Sequence, residues 1–543
     1  MIFLKNESYK KVYGKRFAGR AVVCYFLMLF MLLSCVLRIM IIMSGNYSSV
    51  AASQDSYRIK VRRERGTIYD CNMLPLTNNK KSVLAVVCPT PRAVLAASAL
   101  LDGEQKENLI NNLKNNKPSV CILPRFIECD GIACTYIYET EGGFDACHIT
   151  GYLNSDGHGA TGLEAAYDDL LYSDDFISAV VGINGKGEIL YGTEPKFEKK
   201  TSSISNAVVS TIDINLQNAV YKVSKNIKKG AVVIAEAKTG KIRVLLSFPQ
   251  YDTANISDYL SDQDSPFLNR ALLSYSVGSI FKPCVAAAGI ESGNTDFIFD
   301  CKGSTFIIDR DFKCHKAEGH GTVDLRQAIA YSCNCFFYNY AMSIGGECIY
   351  KMARTLNFGA SIKIAGNIKT KQGSLPSVDT LKNPAQLSNF SIGQGEFSAS
   401  PVSMLPLYMA IANGGKYYLP SLVEKTVNES KTENYDIGYP TIAMSEDTAN
   451  ILKEYLCSVI SEGTGISAVP ETVSAAGKTA TAQTGKTDEQ GVKLNNSWFC
   501  GFFPADEPQY VAVILSEGGN SAGTNKVFAD IADTVTQMMS ERS

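Results

Sequence analysis

Ser279 and Lys282 are the residues whose types and spacing point most directly to chemistry in this chain. A serine and a lysine three positions apart share one face of a helix. A lysine held neutral beside the hydroxyl can take its proton, which is one way to make a serine nucleophilic. Ser8 and Lys11 have the same spacing, so the pair alone is not specific. The prediction of a nucleophilic Ser279 therefore depends on further residues.

Two later segments contain polar groups that would complete such a site. Ser332-Cys-Asn334 offers a hydroxyl and an amide, which can relay a proton and hydrogen-bond a peptide. Lys478-Thr479 offers a charge and a hydroxyl, which suit a carboxylate. Both patterns have chance copies: Ser-x-Asn also begins at 44, 224 and 292, and Lys-Thr-Gly occupies 238–240. Chain order and flanking sequence must therefore decide which copies are functional.

The flanking sequences resemble the transpeptidase domain of class B penicillin-binding proteins, the membrane-anchored enzymes that cross-link peptidoglycan. The matching stretches are residues 268–271, 275–283, 319–325, 332–337, 392–395, 400–401, 411–415, 477–483 and 497–504. Residues 65–72, 148–152 and 162–164 also resemble the family. The likeness follows the family's order and covers most of the chain beyond residue 60. On this basis the chain is identified as a member of the family.

The resemblance implies a role for each motif residue. Ser279 would attack the D-Ala–D-Ala carbonyl of a stem peptide and form an acyl-enzyme, with Lys282 as the proton acceptor. Ser332 would relay the proton to the leaving group, and Asn334 would hydrogen-bond the substrate peptide. Lys478 would bind the substrate carboxylate. The amine of a second stem peptide would then replace the leaving D-alanine.

The segment Lys478-Thr-Ala480 departs from the family pattern at one residue. Thr479 would assist Lys478 at the carboxylate, and the N–H groups of Ser279 and Thr481 would form the oxyanion hole. Ala480 stands where the family usually has glycine. We expect its methyl, on a strand that faces the ligand, to adjust the affinity for substrate or β-lactam and to leave the reaction intact.

The predicted fold class is α+β, with an elongated non-catalytic platform before the catalytic domain. At 543 residues the chain is too long for one compact core. Apolar runs at 231–235 and 242–246 flank Lys238-Thr-Gly240, a pattern typical of a hairpin turn. Helical patterns dominate from 271 to 412, including 325–344, and strand patterns return at 473–482, 497–502 and 510–515 before a helix at 526–539. The first and last strands are therefore expected to share one antiparallel sheet flanked by helices.

The N-terminal region is predicted to anchor the protein in a membrane. Residues 21–37 contain no charge, and apolar character continues after Arg38 to residue 43, which is long enough to span a bilayer. Six Lys and Arg residues precede this segment against one Glu, so the positive-inside rule places residues 1–20 in the cytoplasm. A cleaved signal peptide, with a site at 50–52, is the alternative. The expected order is a cytoplasmic tail (1–20), a transmembrane anchor (21–43), the platform (44–206) and the transpeptidase domain (207–543).

Cys301, Cys314, His320 and Cys333 form a second candidate site. Three thiolates and an imidazole suit tetrahedral zinc. Some elongation-type members of the family look similar, with carboxylates in place of some thiolates. A metal here would join the loop of Ser332 to the segment before it. A disulfide between two of these cysteines, such as Cys314 and Cys333, and ordinary buried thiols are the alternatives.

These features together predict a peptidoglycan D,D-transpeptidase that is inhibited by β-lactams and needs no cofactor for catalysis. The resemblance implies stem peptides of peptidoglycan as substrates and a membrane glycosyltransferase as partner, with the catalytic domain outside the cell membrane. A formal charge of −2 gives no reason to expect nucleic-acid binding. The alternative function is a catalytically weak β-lactam sensor or a scaffold in a cell-wall complex, and Ala480 is the residue that keeps this alternative open.

Overall fold

The chain folds into two compact units whose segments alternate along the sequence. The computed structural model describes residues 4–44, 56–114, 116–184, 189–190, 194–198, 206–428, 431–487, 491 and 493–542. One unit comprises Met1–Arg63, Ser82–Ile137 and Phe176–Lys200, and the other comprises Glu64–Lys81, Tyr138–Asp175 and Thr201–Ser543.

Helices and strands are both frequent in the described residues, as the α+β prediction requires. The strands are β1 (Ser56–Arg65), β2 (Thr67–Tyr69), β3 (Lys80–Val87), β4 (Ser119–Leu123), β5 (Ile132–Glu139), β6 (Tyr172–Gly182), β7 (Lys196–Glu198), β8 (Ala207–Ser210), β9 (Gly230–Glu236), β10 (Ile242–Phe248), β11 (Phe299–Cys301), β12 (Ser304–Ile307), β13 (Arg310–Lys313), β14 (Gly321–Val323), β15 (Lys363–Ala365), β16 (Ile368–Lys369), β17 (Lys416–Tyr417), β18 (Val423–Asn428), β19 (Lys431–Asn434), β20 (Thr441–Ile442), β21 (Ala476–Thr487), β22 (Lys493–Phe503) and β23 (Tyr510–Glu517). The helices are α1 (Leu4–Ser44), α2 (Pro91–Ser98), α3 (Gly103–Leu113), α4 (Cys147–Thr150), α5 (Gly162–Ala166), α6 (Asp168–Leu171), α7 (Ile214–Val223), α8 (Lys282–Glu291), α9 (Leu325–Ala330), α10 (Asn334–Ile344), α11 (Gly346–Thr355), α12 (Pro384–Ser391), α13 (Pro401–Ala412), α14 (Glu446–Ser461) and α15 (Ser521–Ser540).

The smaller unit contains the apolar helix α1 and two small sheets. The part of α1 from Phe17 to Ser44 is long and apolar enough to cross a membrane, and its side chains are all exposed. This agrees with a single membrane anchor near residues 21–43. Strands β1, β6 and β7 form one sheet, and β4, β3 and β5 form another. Apolar side chains of α2 and α3 cover one face of the second sheet.

The larger unit is built on one antiparallel sheet in the order β10-β9-β23-β22-β21. Its strands come from both ends of the predicted transpeptidase domain, so the prediction of a shared sheet is confirmed. Helices α7 and α15 cover one face through a compact apolar cluster. Helices α8, α13 and α14 pack on the other face within the largest core cluster. In the described residues β21 is hydrogen-bonded only to β22, which makes it an edge strand.

Two details of the region from 271 to 412 differ from the prediction. Residues 299–323 contain the short strands β11 to β14 where helical patterns were expected. The helix expected over 325–344 is two helices, α9 and α10. They are separated at Ser332, whose φ of 57° lies in the left-handed region that a helix of L-residues cannot continue through. The Lys-Thr-Gly turn is as predicted, since Gly240 has a φ of 72° between β9 and β10.

Two segments that the sequence places in the platform belong to the larger unit. Strand β2 pairs in parallel with β8, and its Ile68 is fully buried in the core. Arg65 forms ion pairs with Glu164 and Asp168 at 2.6 and 2.7 Å. The predicted division at residue 206 therefore does not coincide with the compact units, because strand pairing and packing here join residues far apart in sequence.

Candidate active site

Ser279 lies in a 3₁₀ turn, Gly278–Phe281, immediately before helix α8. Pro283 occupies the first turn of α8, where its missing N–H leaves no helical bond unmade. Ser279 is half-buried, whereas the neighbouring residues of the turn are buried. The N-terminal end of α8 carries partial positive charge, which favours negative charge that develops near the serine.

Lys282 joins the serine turn to the Ser-Cys-Asn segment. Its side chain is fully buried. Nζ donates to the backbone O of Ser332 at 2.6 Å, to Ser332 Oγ at 3.2 Å and to Asn334 Oδ1 at 2.8 Å. Burial lowers the pKa of Lys282 to about 8, although nearby thiols, Cys333 first, act to raise it. A neutral amine is therefore accessible near neutral pH.

Lys478 is a second buried lysine in the same region. It lies on β21, is fully buried, and donates from Nζ to the backbone O of Thr479 at 3.1 Å. Burial and the charge of Lys282 lower the pKa of Lys478 well below its ordinary value. In the described part of the chain, no carboxylate acts on the pKa of either lysine. Two buried amines without an acidic partner favour an anionic ligand, which would stabilise their charged forms.

Ala480 packs against the serine turn. It is 4% exposed, and a Cβ built on Gly278 would lie 3.3 Å from the Ala480 methyl and 3.1 Å from that of Ala482. Side chains 478, 480 and 482 share this face because orientation alternates along a strand. At this exposure the methyl itself has little surface left for contact with a ligand. The methyl instead supports the backbone next to Ser279.

Thr479 and Thr481 lie on the opposite face of β21. Thr479 Oγ1 is 2.8 Å from Thr464 Oγ1, and Thr481 Oγ1 is 2.6 Å from Ser521 Oγ. Thr464 follows helix α14 and belongs to none of the motifs that the sequence singled out. The strand thus presents its lysine to one face of the sheet and its two hydroxyls to the other.

The chain that leads to Ser279 is fixed by side chains from other motifs. Trp498 Nε1 donates to the backbone O of Ser276 at 3.1 Å. Tyr275 donates its hydroxyl to Glu517 Oε1 at 2.8 Å, and Arg270 Nε donates to the same oxygen at 3.0 Å. These bonds connect the serine turn to β22 and β23. Trp498 and Arg270 lie in sequences that resemble the family, but Glu517 gave no signal in the sequence.

The predicted zinc ligands lie together. One ligand atom from each of Cys301, Cys314, His320 and Cys333 falls within 4.8 Å of all the others. Cys314 Sγ is 3.5 Å from His320 Nδ1 and 4.0 Å from Cys333 Sγ. Tetrahedral zinc with bonds of about 2.0–2.3 Å requires donor separations of about 3.3–3.8 Å, so a bound ion would draw the most widely spaced of these donors about 1 Å closer together. No disulfide joins these cysteines in the structure.

The chain matches known proteins over the region that contains this site. The family model described as Penicillin binding protein transpeptidase domain matches residues 230–537, which is more than half of the chain. Stage V sporulation protein D of Bacillus subtilis (strain 168) is 26% identical, with 90% of this chain and 79% of that protein covered. Peptidoglycan D,D-transpeptidase MrdA of Acinetobacter baumannii is 27% identical, with 67% of this chain and 58% of that protein covered.

A solved structure has the same fold at lower identity. The complex between Penicillin-Binding Protein (PBP2) and MreC from Helicobacter pylori aligns with a TM-score of 0.66 and 20% identity, covering 89% of this chain and 99% of that one. At this identity the likeness shows the fold alone. The match of the family model over more than half of the sequence shows more: the chain belongs to the penicillin-binding protein transpeptidase family.

Proposed function

We propose that this protein is a peptidoglycan D,D-transpeptidase that acts through an acyl-enzyme on Ser279. One observation supports this most directly: Lys282 is buried and bonded to Ser332 and Asn334, one turn from the half-buried serine. A lysine-activated serine needs a basic side chain close by, and Lys282, three positions after the serine, is placed to supply it. Family membership and the named activity of MrdA point to the same reaction.

The reaction would proceed by two acyl transfers. Ser279 Oγ attacks the carbonyl carbon of the penultimate D-alanine while its proton passes to the neutral Nζ of Lys282. The C–N bond to the terminal D-alanine then breaks, and the Ser332 hydroxyl passes the proton to the departing amine. The amine of a second stem peptide attacks the resulting ester, an amide forms, and Ser279 Oγ recovers a proton.

The remaining residues would bind substrate. Lys478 supplies positive charge for the terminal carboxylate, with Thr479 as a hydroxyl donor. The backbone of the edge strand at Ala480 and Thr481 pairs with the extended peptide. The N–H groups of Ser279 and Thr481 stabilise the oxyanion. β-Lactams, which carry a similar carboxylate, would acylate the same serine.

The protein would work at the outer face of the cell membrane. The basic residues before helix α1 favour a cytoplasmic N-terminus, which places the catalytic domain outside. A membrane glycosyltransferase would supply the glycan strands, as the family resemblance implies. The related Helicobacter pylori protein was solved in complex with MreC, which is consistent with assembly into a larger cell-wall complex.

We also propose that Cys301, Cys314, His320 and Cys333 bind a structural zinc ion. The chemistry of the four donors and their position in one cluster support zinc over a disulfide or free thiols. Cys333 lies between Ser332 and Asn334, so the ion would hold the motif loop in place. Zinc would have no part in acyl transfer.

The serine assignment is tested by covalent labelling with a fluorescent penicillin. The full-length chain in detergent should be labelled, and Ser279→Ala should abolish the label because the nucleophile is absent. Ser8→Ala, in the other Ser-x-x-Lys match, is the control and should label normally. Release of D-alanine and formation of cross-linked product from stem peptides then separate an enzyme from a β-lactam sensor. Labelling that survives in Ser279→Ala contradicts the proposal.

A further inference from the structure

Thr464 contacts both the segment that leads to Ser332 and the strand that carries Thr479, although it belongs to neither motif. Its backbone N–H donates to the O of Ala330 at 3.1 Å, at the end of the helix that leads to Ser332. Its Oγ1 lies 2.8 Å from Thr479 Oγ1 on the edge strand. A Cβ at Gly463 would lie 2.2 Å from Ala330 O, so only glycine allows this approach. Thr464 therefore sits between the Ser332 loop and β21.

The backbone at Thr464 is held in place from several sides. Asn525, which is 2% exposed, donates from Nδ2 to Thr464 O at 3.4 Å and to Ser467 Oγ at 3.0 Å. Arg326 and Glu462 form an ion pair at 2.6 Å just before this segment. Helices α9 and α15 thus both fix the position of the Thr464 hydroxyl relative to Thr479.

The two hydroxyls differ in their access to a ligand. Thr464 is exposed, whereas Thr479 is 6% exposed. At 2.8 Å one hydroxyl donates to the other. A carboxylate only accepts hydrogen bonds, so a ligand carboxylate can take the one proton of the pair that remains. The hydroxyl that donates within the pair polarises the hydroxyl that accepts from it. This strengthens the hydrogen bond from the accepting hydroxyl to the anion.

We propose that Thr464 is a substrate-binding residue, and that its hydroxyl and that of Thr479 act as one donor pair for the terminal carboxylate of the stem peptide. This rests on the proposed transpeptidase function. The pair would bind the carboxylate of a β-lactam in the same way. Lys478 supplies charge from the other face of the strand, so the hydroxyl pair supplies direction and selectivity for a carboxylate.

A double-mutant cycle tests whether the two hydroxyls act together. The measured quantity is the second-order rate constant for acylation of the full-length chain by benzylpenicillin. Thr464→Val and Thr479→Val should each lower it by about three- to tenfold, the effect of losing one hydrogen bond. The rate constant of the double variant should be little lower than that of the slower single variant, because either substitution alone breaks the pair. A double variant whose loss equals the product of the single losses contradicts the proposal, as does wild-type behaviour of Thr464→Val.

A neutral ligand separates carboxylate binding from a structural role. The methyl ester of benzylpenicillin should acylate Thr464→Val and wild type at equal rates, because it has no anion for the pair to bind. Equal losses with acid and ester contradict the proposal. If the ester reacts too slowly to follow, the double-mutant cycle decides.

Conservative and remote variants provide the controls. Thr464→Ser keeps the hydroxyl and should restore acylation to within about twofold of wild type, because the hydrogen bond is retained. Thr355→Val removes a hydroxyl whose bond, among the described residues, stays within its own helix, to Lys351 O, and this variant should leave acylation unchanged. If Ser279→Ala still labels, the proposed function fails. If labelling requires Ser279 but Thr464→Val matches wild type, this inference alone fails.

Discussion

At Lys282, burial and hydrogen bonding act in opposite directions on the ammonium charge. Removal from water disfavours the charged form, while nearby thiols, Cys333 first, and the oxygens of Ser332 and Asn334 that accept its hydrogen bonds favour that form. Burial is the larger effect, so the pKa of Lys282 falls to about 8. The residue can therefore exist in either form within an ordinary pH range, which a surface lysine cannot.

This balance predicts how acylation depends on pH. In the proposed reaction the neutral amine accepts the Ser279 proton, so the rate should follow the neutral fraction of Lys282. Because the pKa lies at about 8, the acylation rate should rise with pH, by about tenfold per unit well below 8, and level off above about 9. The rate of penicillin labelling between pH 6 and 9.5 checks this.

Lys282→Arg is the control for this pH dependence. Arginine keeps the positive charge but cannot release its proton in this range, so labelling should be lost at every pH. A rate that is flat from pH 6 to 9 in the wild type, or normal labelling of Lys282→Arg, contradicts the role of the neutral amine.

The burial of Ala480 predicts a different effect for smaller and larger side chains. Ala480→Gly removes a methyl that supports Gly278, and should change the acylation rate by less than about tenfold, in line with the loss of one small buried group. Ala480→Val forces two methyls toward the backbone beside Ser279, and overpacking of about 1–3 kcal/mol should lower both the rate and the melting temperature. Labelling kinetics and thermal unfolding measure both effects. A valine variant with wild-type rate, or a glycine variant that switches on an otherwise undetectable reaction, contradicts this account.

The sequence predicted which residues of the candidate site lie together, but not all of their neighbours. Ser279, Lys282, Ser332 and Asn334 have fixed spacing and flanks, so their proximity could be predicted before the structure. Thr464 could not be found this way, because its place beside Thr479 depends on how α14 ends against the sheet. The direction of the Ala480 methyl also depends on which face of β21 meets the serine turn.

At the scale of elements, the helix break at Ser332 shapes the site. In a continuous helix over 325–344, the side chains of Ser332 and Asn334 would point to nearly opposite sides, because they are two positions apart. The break instead lets both reach the Nζ of Lys282. Periodicity alone cannot reveal such a break, because the apolar pattern continues through it. The strands between 299 and 323 were missed for a related reason, since short strands with exposed residues have little alternation.

The proposed zinc would act on these same elements. Cys301 precedes and Cys314 follows the hairpin formed by β12 and β13, so both lie on its open side. Cys333 lies in the helix break. The protein purified without chelator should contain about one zinc per chain. Its removal should lower the melting temperature and slow acylation, because ligand ions that bind only the folded state stabilise it. Metal analysis, thermal unfolding and labelling kinetics measure these changes.

Variants and thiol titration distinguish zinc from its alternatives. His320→Ala should reproduce the effects of metal removal, whereas Cys348→Ala, outside the cluster, should retain zinc and activity. Titration of denatured, metal-free protein should find every thiol reactive, since a disulfide would hide two. Metal-free protein with full stability and activity would show that the cluster consists of ordinary buried cysteines and does not bind zinc.

At the scale of the whole molecule, the larger unit depends on segments that precede the predicted catalytic domain. Residues 64–81 and 138–175 belong to it. They contribute buried apolar residues to its main core, namely Ile68, Ile149, Leu163 and Leu171, each at most 1% exposed. Local patterns predicted the strands of the central five-stranded sheet, but not that distant segments complete the core of this unit.

This dependence predicts that the catalytic domain cannot be isolated at residue 207. A fragment of residues 207–543 lacks strand β2 beside β8 and the four buried side chains. Each contributes roughly 1.5–3 kcal/mol, and together they approach the total stability of a typical domain, about 5–15 kcal/mol. The fragment should therefore aggregate or melt far below the protein of residues 56–543 and should not bind fluorescent penicillin. Removal of residues 1–55 alone should leave the acylation rate unchanged, because no described side chain of helix α1 is buried. A 207–543 fragment that melts and labels like the longer protein would show that the core closes without these segments.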